Sequence, residues 1–253
     1  MFNRIRFRNC IHQGIAGATE ESILAAIRGD PQDCAPGQPA ADASPPPSPT
    51  VFIGLARYLG AEAFKQCWMD FQRASQGRSN PIELPAYLAQ HHYGRERADL
   101  VDLARLDLAI FLVGVPTTKP SLGRCCLPDS ILTDHPGLMV AMQPNWHYLK
   151  SNWPIHQFRN LLLQRPAGDT RAKPPRLTTT WLNILPGENE IILRELPPAR
   201  FQFESALQRG QSLQEATRLA REYGAGFDAF ATLNALITAG AIADVNLHPT
   251  VTS

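Results

Sequence analysis

LTTTWLNIL (Leu177–Leu185), PGEN (Pro186–Asn189) and EIILREL (Glu190–Leu196) follow one another without interruption. The two flanking segments are rich in β-branched and aromatic residues, which suit a pleated, half-buried surface. The Pro-Gly-Glu-Asn stretch between them has turn chemistry. Together they predict a β-hairpin. A helix is expected at Pro198–Gln208, stopped by Gly210. Ser212 and Glu215 form a capping-box pattern that opens a second helix, ending near Gly224. Asp228–Ala239 reads as a third, with Gly240 at its C-cap, and Ala241–Val245 as a final strand. A hairpin beside three consecutive helices predicts a winged-helix-like domain over residues 177–253.

Upstream, the chain reads differently. Phe64, Cys67, Trp68 and Phe71 recur at helical spacing and predict a helix over Ala61–Ala74. Pro85–His91 is a short helix with Pro at its first position. Leu100, Leu103, Ala104, Leu106, Ile110 and Phe111 mark another over Ala98–Val113, ended by Gly114 and Pro116. Residues 51–118 therefore form a helical domain. Residues 119–176 connect it to the hairpin, with a strand expected at Gly137–Met142 and a helix at Pro154–Leu163. At the N-terminal side, residues 1–50 hold a short helix, Thr19–Arg28, and a Pro-, Ala-, Gly- and Ser-rich linker from Gly29 to Thr50. The fold class is α+β, an N-terminal helical domain followed by the winged-helix-like one.

Composition narrows the function. The 253 residues carry a net charge of +1, so no bulk field draws the chain to nucleic acid or an anionic membrane. Over residues 177–253, five basic side chains face eight acidic ones, a net −3. A duplex binder needs the opposite sign, because phosphate contacts supply much of its affinity. A nucleic-acid-binding regulator is thus the alternative reading, even though Arg218 and Arg221 sit on the helix a winged helix would place in the groove. No apolar run reaches the ~18 residues that cross a bilayer, and no signal peptide is evident, so the expected location is cytoplasmic. Cys10, Cys34, Cys67, Cys125 and Cys126 include no CxxC pair, and the seven histidines show no metal-ligand spacing. No nucleophile motif or phosphate loop is present. The expectation is a chain with no catalytic residues, no metal and no cofactor of its own.

Several short motifs occur in a telling order. They are Leu59-Gly60-Ala61-Glu62-Ala63-Phe64, with Ser79 and Leu84–Leu88 after it, then His135-Pro136-Gly137-Leu138 and Trp153-Pro154-Ile155. The hairpin follows, then Gly210-Gln211-Ser212-Leu213-Gln214-Glu215-Ala216 and Leu236-Ile237-Thr238-Ala239-Gly240-Ala241. Over roughly residues 51–247 this order resembles the partner subunits of multinuclear non-heme iron-dependent oxidative enzymes, the group that includes MbnC of methanobactin synthesis, HvfC, BufC and TglI. The leaning is to the methanobactin branch. Relatives often carry a Tyr-Arg pair in the first hairpin strand, where this sequence has Asn183-Ile184. The resemblance implies a helical part that packs on the iron oxidase as a heterodimer, and a winged-helix-like part that binds the leader of a ribosomally made precursor peptide. Iron would belong to the partner enzyme.

Peptide binding by strand addition needs a sheet edge with side-chain pockets beside it. The candidate peptide-binding residues are Thr180, Trp181, Leu182, Asn183, Ile184, Ile192 and Arg194, with Ile191 and Leu193 beside them. The competing reading is that the alternating inward set simply fills the core under the helices. Trp146, Tyr148 and Trp153 are the candidate partner-interface anchors, since buried aromatics tend to dominate interface energy. Core packing is the competing reading for them too.

Overall fold

A computed structural model describes residues 3–5, 51–76, 80–91, 97–115, 137–166, 173, 176–188 and 190–247. The expected helix Thr19–Arg28, the Pro-rich linker, and Cys10, Cys34, Cys125, Cys126, His12, His92, His135 and His248 lie outside the described residues. The fold mixes helices with small antiparallel sheets and is α+β. Two compact units divide it, each discontinuous in sequence. A helical unit takes residues 10–115 and 151–180, and a sheet unit takes residues 1–9, 116–150 and 181–253.

In the helical unit, α1 (Ile53–Leu59) and α2 (Ala61–Ala74) meet at Gly60, whose φ of 80° suits glycine. A 3₁₀ turn (Pro81–Glu83), opened by Asn80 accepting from Ile82 N–H, leads into α3 (Leu84–Gln90). Then come α4 (Ala98–Val113) and α5 (Ile155–Gln164). Phe64, Cys67, Trp68 and Phe71 are the buried stripe of α2, as their spacing predicts. Sequence patterning misses α1, and starts α3 and α5 one residue from where they begin.

Helix α4 is buried almost all round and takes three aspartates, Asp99, Asp102 and Asp107, inside. Each has partners. Arg97 bonds both oxygens of Asp99 and also reaches the Tyr58 hydroxyl. Asp102 accepts from Ser151 Oγ at 2.8 Å and from Arg105. Asp107 accepts from the Leu55 N–H at 2.9 Å and from Arg159 Nε at 2.5 Å. It thus caps the open first turn of α1 from another helix. A Cβ on Gly54 would lie 3.0 Å from Asp107 Oδ2. Only glycine lets the two approach so closely.

The sheet unit contains β1 (Asn3–Ile5), β2 (Leu138–Met142), β3 (His147–Ser151), β4 (Thr180–Pro186), β5 (Ile191–Glu195), α6 (Pro198–Gln208), α7 (Leu213–Arg221), α8 (Ala229–Thr238) and β6 (Ile242–Leu247). The expected hairpin is β4–β5, paired from Leu182↔Glu195 to Pro186↔Ile191. Its first strand starts at Thr180, three residues later than predicted, and Leu177 stands 72% exposed. The hairpin sits inside a four-stranded sheet of order β1-β5-β4-β3. A second, two-stranded sheet pairs β2 with β6 antiparallel, with a register shift between Ala141 and Met142.

Helices α7 and α8 are capped at their N-termini by side chains, while α6 begins at Pro198 with no side-chain cap. Ser212 Oγ accepts from Glu215 N–H, and Asp228 Oδ1 from Ala231 N–H. Helices α6 and α8 end alike. Gly210 and Gly240 have φ of 73° and 71°, and each sits in a pair of closing bonds. Gly210 N–H goes to Leu207 and Gln211 N–H to Ala206; Gly240 N–H goes to Ile237 and Ala241 N–H to Leu236. This is the Schellman arrangement. Leu138, Val140, Trp146, Phe203, Leu207, Leu213, Leu233, Leu236 and Ile242 gather into one apolar core between these helices and the β2–β6 pair.

Candidate functional site

Hydrogen bonds at both ends of the hairpin fix which way its backbone faces. Leu196 N–H donates to the Trp181 carbonyl at 2.8 Å, and Gly187 N–H to the Glu190 carbonyl at 2.7 Å. Bonded pairs alternate along an antiparallel ladder, so Trp181, Asn183 and Leu185 turn their backbone groups toward Leu196, Arg194 and Ile192. Ile191, Leu193 and Glu195 point theirs the other way, toward β1. Strand β1 pairs there, Asn3 opposite Leu193 and Ile5 opposite Ile191. On the far side of β4 lies β3. Both edges of the hairpin are therefore paired, one by a local strand and one by a three-residue strand from the opposite end of the chain.

Side chains alternate in the same rhythm. Leu182, Ile184 and Leu193 fall on one face and are buried. Trp181, Asn183, Leu185, Ile192 and Arg194 fall on the other. Trp181 makes ring contacts with Phe201 at 4.9 Å and with Tyr223 at 5.8 Å, while Lys150 Nζ lies 4.4 Å over its ring. Tyr148 packs edge-on to Phe201 at 6.0 Å. Tyr223, 49% exposed, is the open end of this aromatic group.

Beside the aromatics lies a polar group of five side chains. Asn183 and Glu204 are wholly buried. Arg194 Nη2 donates to Asn183 Oδ1 at 3.2 Å, and Arg200 Nε to Glu204 Oε1 at 2.5 Å. Among the described residues, Asn183 Nδ2 and Arg194 Nε are buried with no hydrogen-bond partner, while the Tyr148 hydroxyl lies beside the Glu204 carboxylate. Burial pulls the Arg194 pKa below its ordinary value; the Glu204 charge works against that fall and the Arg200 charge adds to it. Burial also pushes the Tyr148 hydroxyl well above its usual 10.0, and the nearby Glu204 carboxylate pushes the same way.

The expected site residues thus divide. Trp181, Asn183, Ile192 and Arg194 share one face of the sheet. Leu182 and Ile184 are buried on the other, as core packing requires. Thr180 is buried, with its hydroxyl donating to the Trp153 carbonyl at 2.8 Å. Trp146 is 4% exposed within the apolar core, with its carbonyl accepting from Gln208, so its surface is spent inside the unit. Tyr148 is likewise turned inward. Trp153 is half-buried. Strand β3 (His147–Ser151), which the sequence did not suggest, runs between Trp146 and Trp153. Glu204 and Arg200 escaped the sequence reading. Their i, i+4 spacing on α6 is a signal for an ion pair, but only the fold shows that it is drawn under the sheet.

Among the described residues, no group of three or more His, Cys, Asp or Glu side chains is placed to hold a metal ion. No described helix is long and apolar enough to cross a membrane. No family model matches the chain, and no curated protein matches it.

Proposed function

We propose that this chain is a non-catalytic partner subunit that binds the leader of a ribosomally made precursor peptide and presents its cysteines to an iron-dependent oxidase, as in methanobactin-type oxazolone and thioamide formation. The irons belong to the partner enzyme in this reading, and the sheet unit serves as a winged-helix-like recognition module. One observation carries it. The outer edge of β5 accepts an extended segment, β1, as an added antiparallel strand. An edge that takes one strand by backbone bonds has the chemistry to take another. Holding the leader would raise the local concentration of the following cysteines into roughly the millimolar range.

The nucleic-acid reading loses support. On α7, Arg218 is held by Glu215 at 2.8 Å and Glu222 at 2.5 Å, so its charge is already matched.

The test has two arms. Co-expression with a multinuclear non-heme iron-dependent oxidase of the kind such subunits accompany should give a one-to-one complex on size-exclusion chromatography. Fluorescence anisotropy with the labelled leader should report binding that weakens about tenfold in an Ile191→Pro variant, which removes one outward N–H. Unchanged leader affinity in a folded Ile191→Pro variant would place recognition away from this edge.

A further inference from the structure

Arg194 is poorly compensated where it stands. Among the described residues its side-chain bond goes to the neutral Asn183 amide, its Nε has no partner, and Glu204, the carboxylate whose charge acts on it, is already bonded to Arg200. Across this group two guanidiniums share one carboxylate. Burial magnifies the mismatch, because a charge taken from water needs a partner.

The sheet shows where that partner would arrive. With Asn3 opposite Leu193 and Arg4 opposite Ile192, a strand one residue longer would set its next residue opposite Arg194. Directly opposed residues share a face and bring their Cβ atoms within about 5 Å. A side chain at that place stands on the face of Asn183, Arg194 and Glu204. Glu195 projects from the other face and does not oppose it. The sequence around β1, MFNRIRFRN over residues 1–9, has three arginines and no acidic residue.

We propose that the outer edge of β5 selects a peptide strand bearing a carboxylate side chain opposite Arg194, where it accepts from the guanidinium. This rests on the strand-addition reading above and adds its specificity. Backbone pairing holds any extended segment, and Arg194 picks those with an acidic residue in the matching register.

A random peptide library displayed on phage, panned against the full-length chain, tests this. Binders should show one position enriched in Asp or Glu. Replacing that residue by Gln in a fluorescein-labelled peptide should weaken binding roughly tenfold, the scale of a charge-assisted hydrogen bond. Against a folded Arg194→Gln variant the same replacement should matter less than about twofold, because the charge it addresses is gone. Using the peptide change on wild-type protein keeps the test open even if Arg194→Gln fails to fold. Binders that depend on the Ile191 N–H yet lack acidic enrichment would overturn the carboxylate preference and leave strand addition standing. A panel with no binder sensitive to Ile191→Pro would overturn strand addition and the carboxylate preference with it.

Discussion

Arg159 and Asp107 form an ion pair that water does not reach. Their side chains are 2% and 0% exposed, and Nε stands 2.5 Å from Oδ1. The same carboxylate holds the start of α1 through Leu55 N–H. Asp107→Asn preserves size and an acceptor for that N–H but strands the Arg159 charge. It should cost about 3–5 kcal/mol, measured by urea unfolding. Adding Arg159→Met should recover part of the loss. A double variant no more stable than the single one would show that the cap, rather than the charge, is what matters.

The Ser212 cap makes a smaller and cleaner prediction. Its oxygen serves one otherwise unpaired N–H at the start of α7. Ser212→Ala should lower stability by about 1 kcal/mol, while Ser212→Asp should hold it near wild type. Thermal unfolding followed by circular dichroism checks both.

Burial, helped by Asp70, pushes the Cys67 thiol up from 9.0 to about 11. Native alkylation with iodoacetamide at pH 8 should therefore leave Cys67 almost untouched on peptide mapping, since only ~0.1% of the thiol is ionised there. The same shift links to stability. The raised folded value means that stability from this group is fully present below pH 9 and is lost as pH rises toward 11. The urea midpoint of wild type should fall relative to that of Cys67→Ala across this interval. A constant difference would contradict the shift.

Strand β1 occupies the edge at which a leader would add, so the two should compete. Deleting residues 1–9 should raise affinity for the labelled leader several-fold, with circular dichroism otherwise unchanged. A synthetic peptide of residues 1–9 should lower it again. Identical leader affinity with and without the segment would show that the two do not share a site.

Much of this fold is legible in the sequence where local signals agree. Ser212, Gly210, Asp228 and Gly240 mark three helices because caps and stops are written in single residues. Alternating apolar residues predict β4 and β5. Strand β3 is missed because His147–Ser151 is short and contains a lysine and a polar residue at each end, and its neighbours look like loop. Strand β1 is missed because its pairing depends on residues at the other end of the chain. The candidate site is half legible. Trp181, Asn183 and Arg194 are named from the sequence, but Glu204 reads as a surface group, and only the packing of α6 on the sheet takes it out of water. The buried aspartates of α4 escape for the same reason.

Along β5 the amides alternate between two fates. Those of Ile192 and Arg194 are tied to β4, inside a hairpin that opens only when the sheet comes apart. Those of Ile191 and Leu193 are tied to a strand of three residues, a ladder short enough to lift by local fluctuation. Hydrogen–deuterium exchange along this strand should therefore rise and fall with a period of two, fast at the odd positions and slow at the even ones. A strand that arrives from solution and stays would flatten that rhythm, and the odd amides would report its residence time directly.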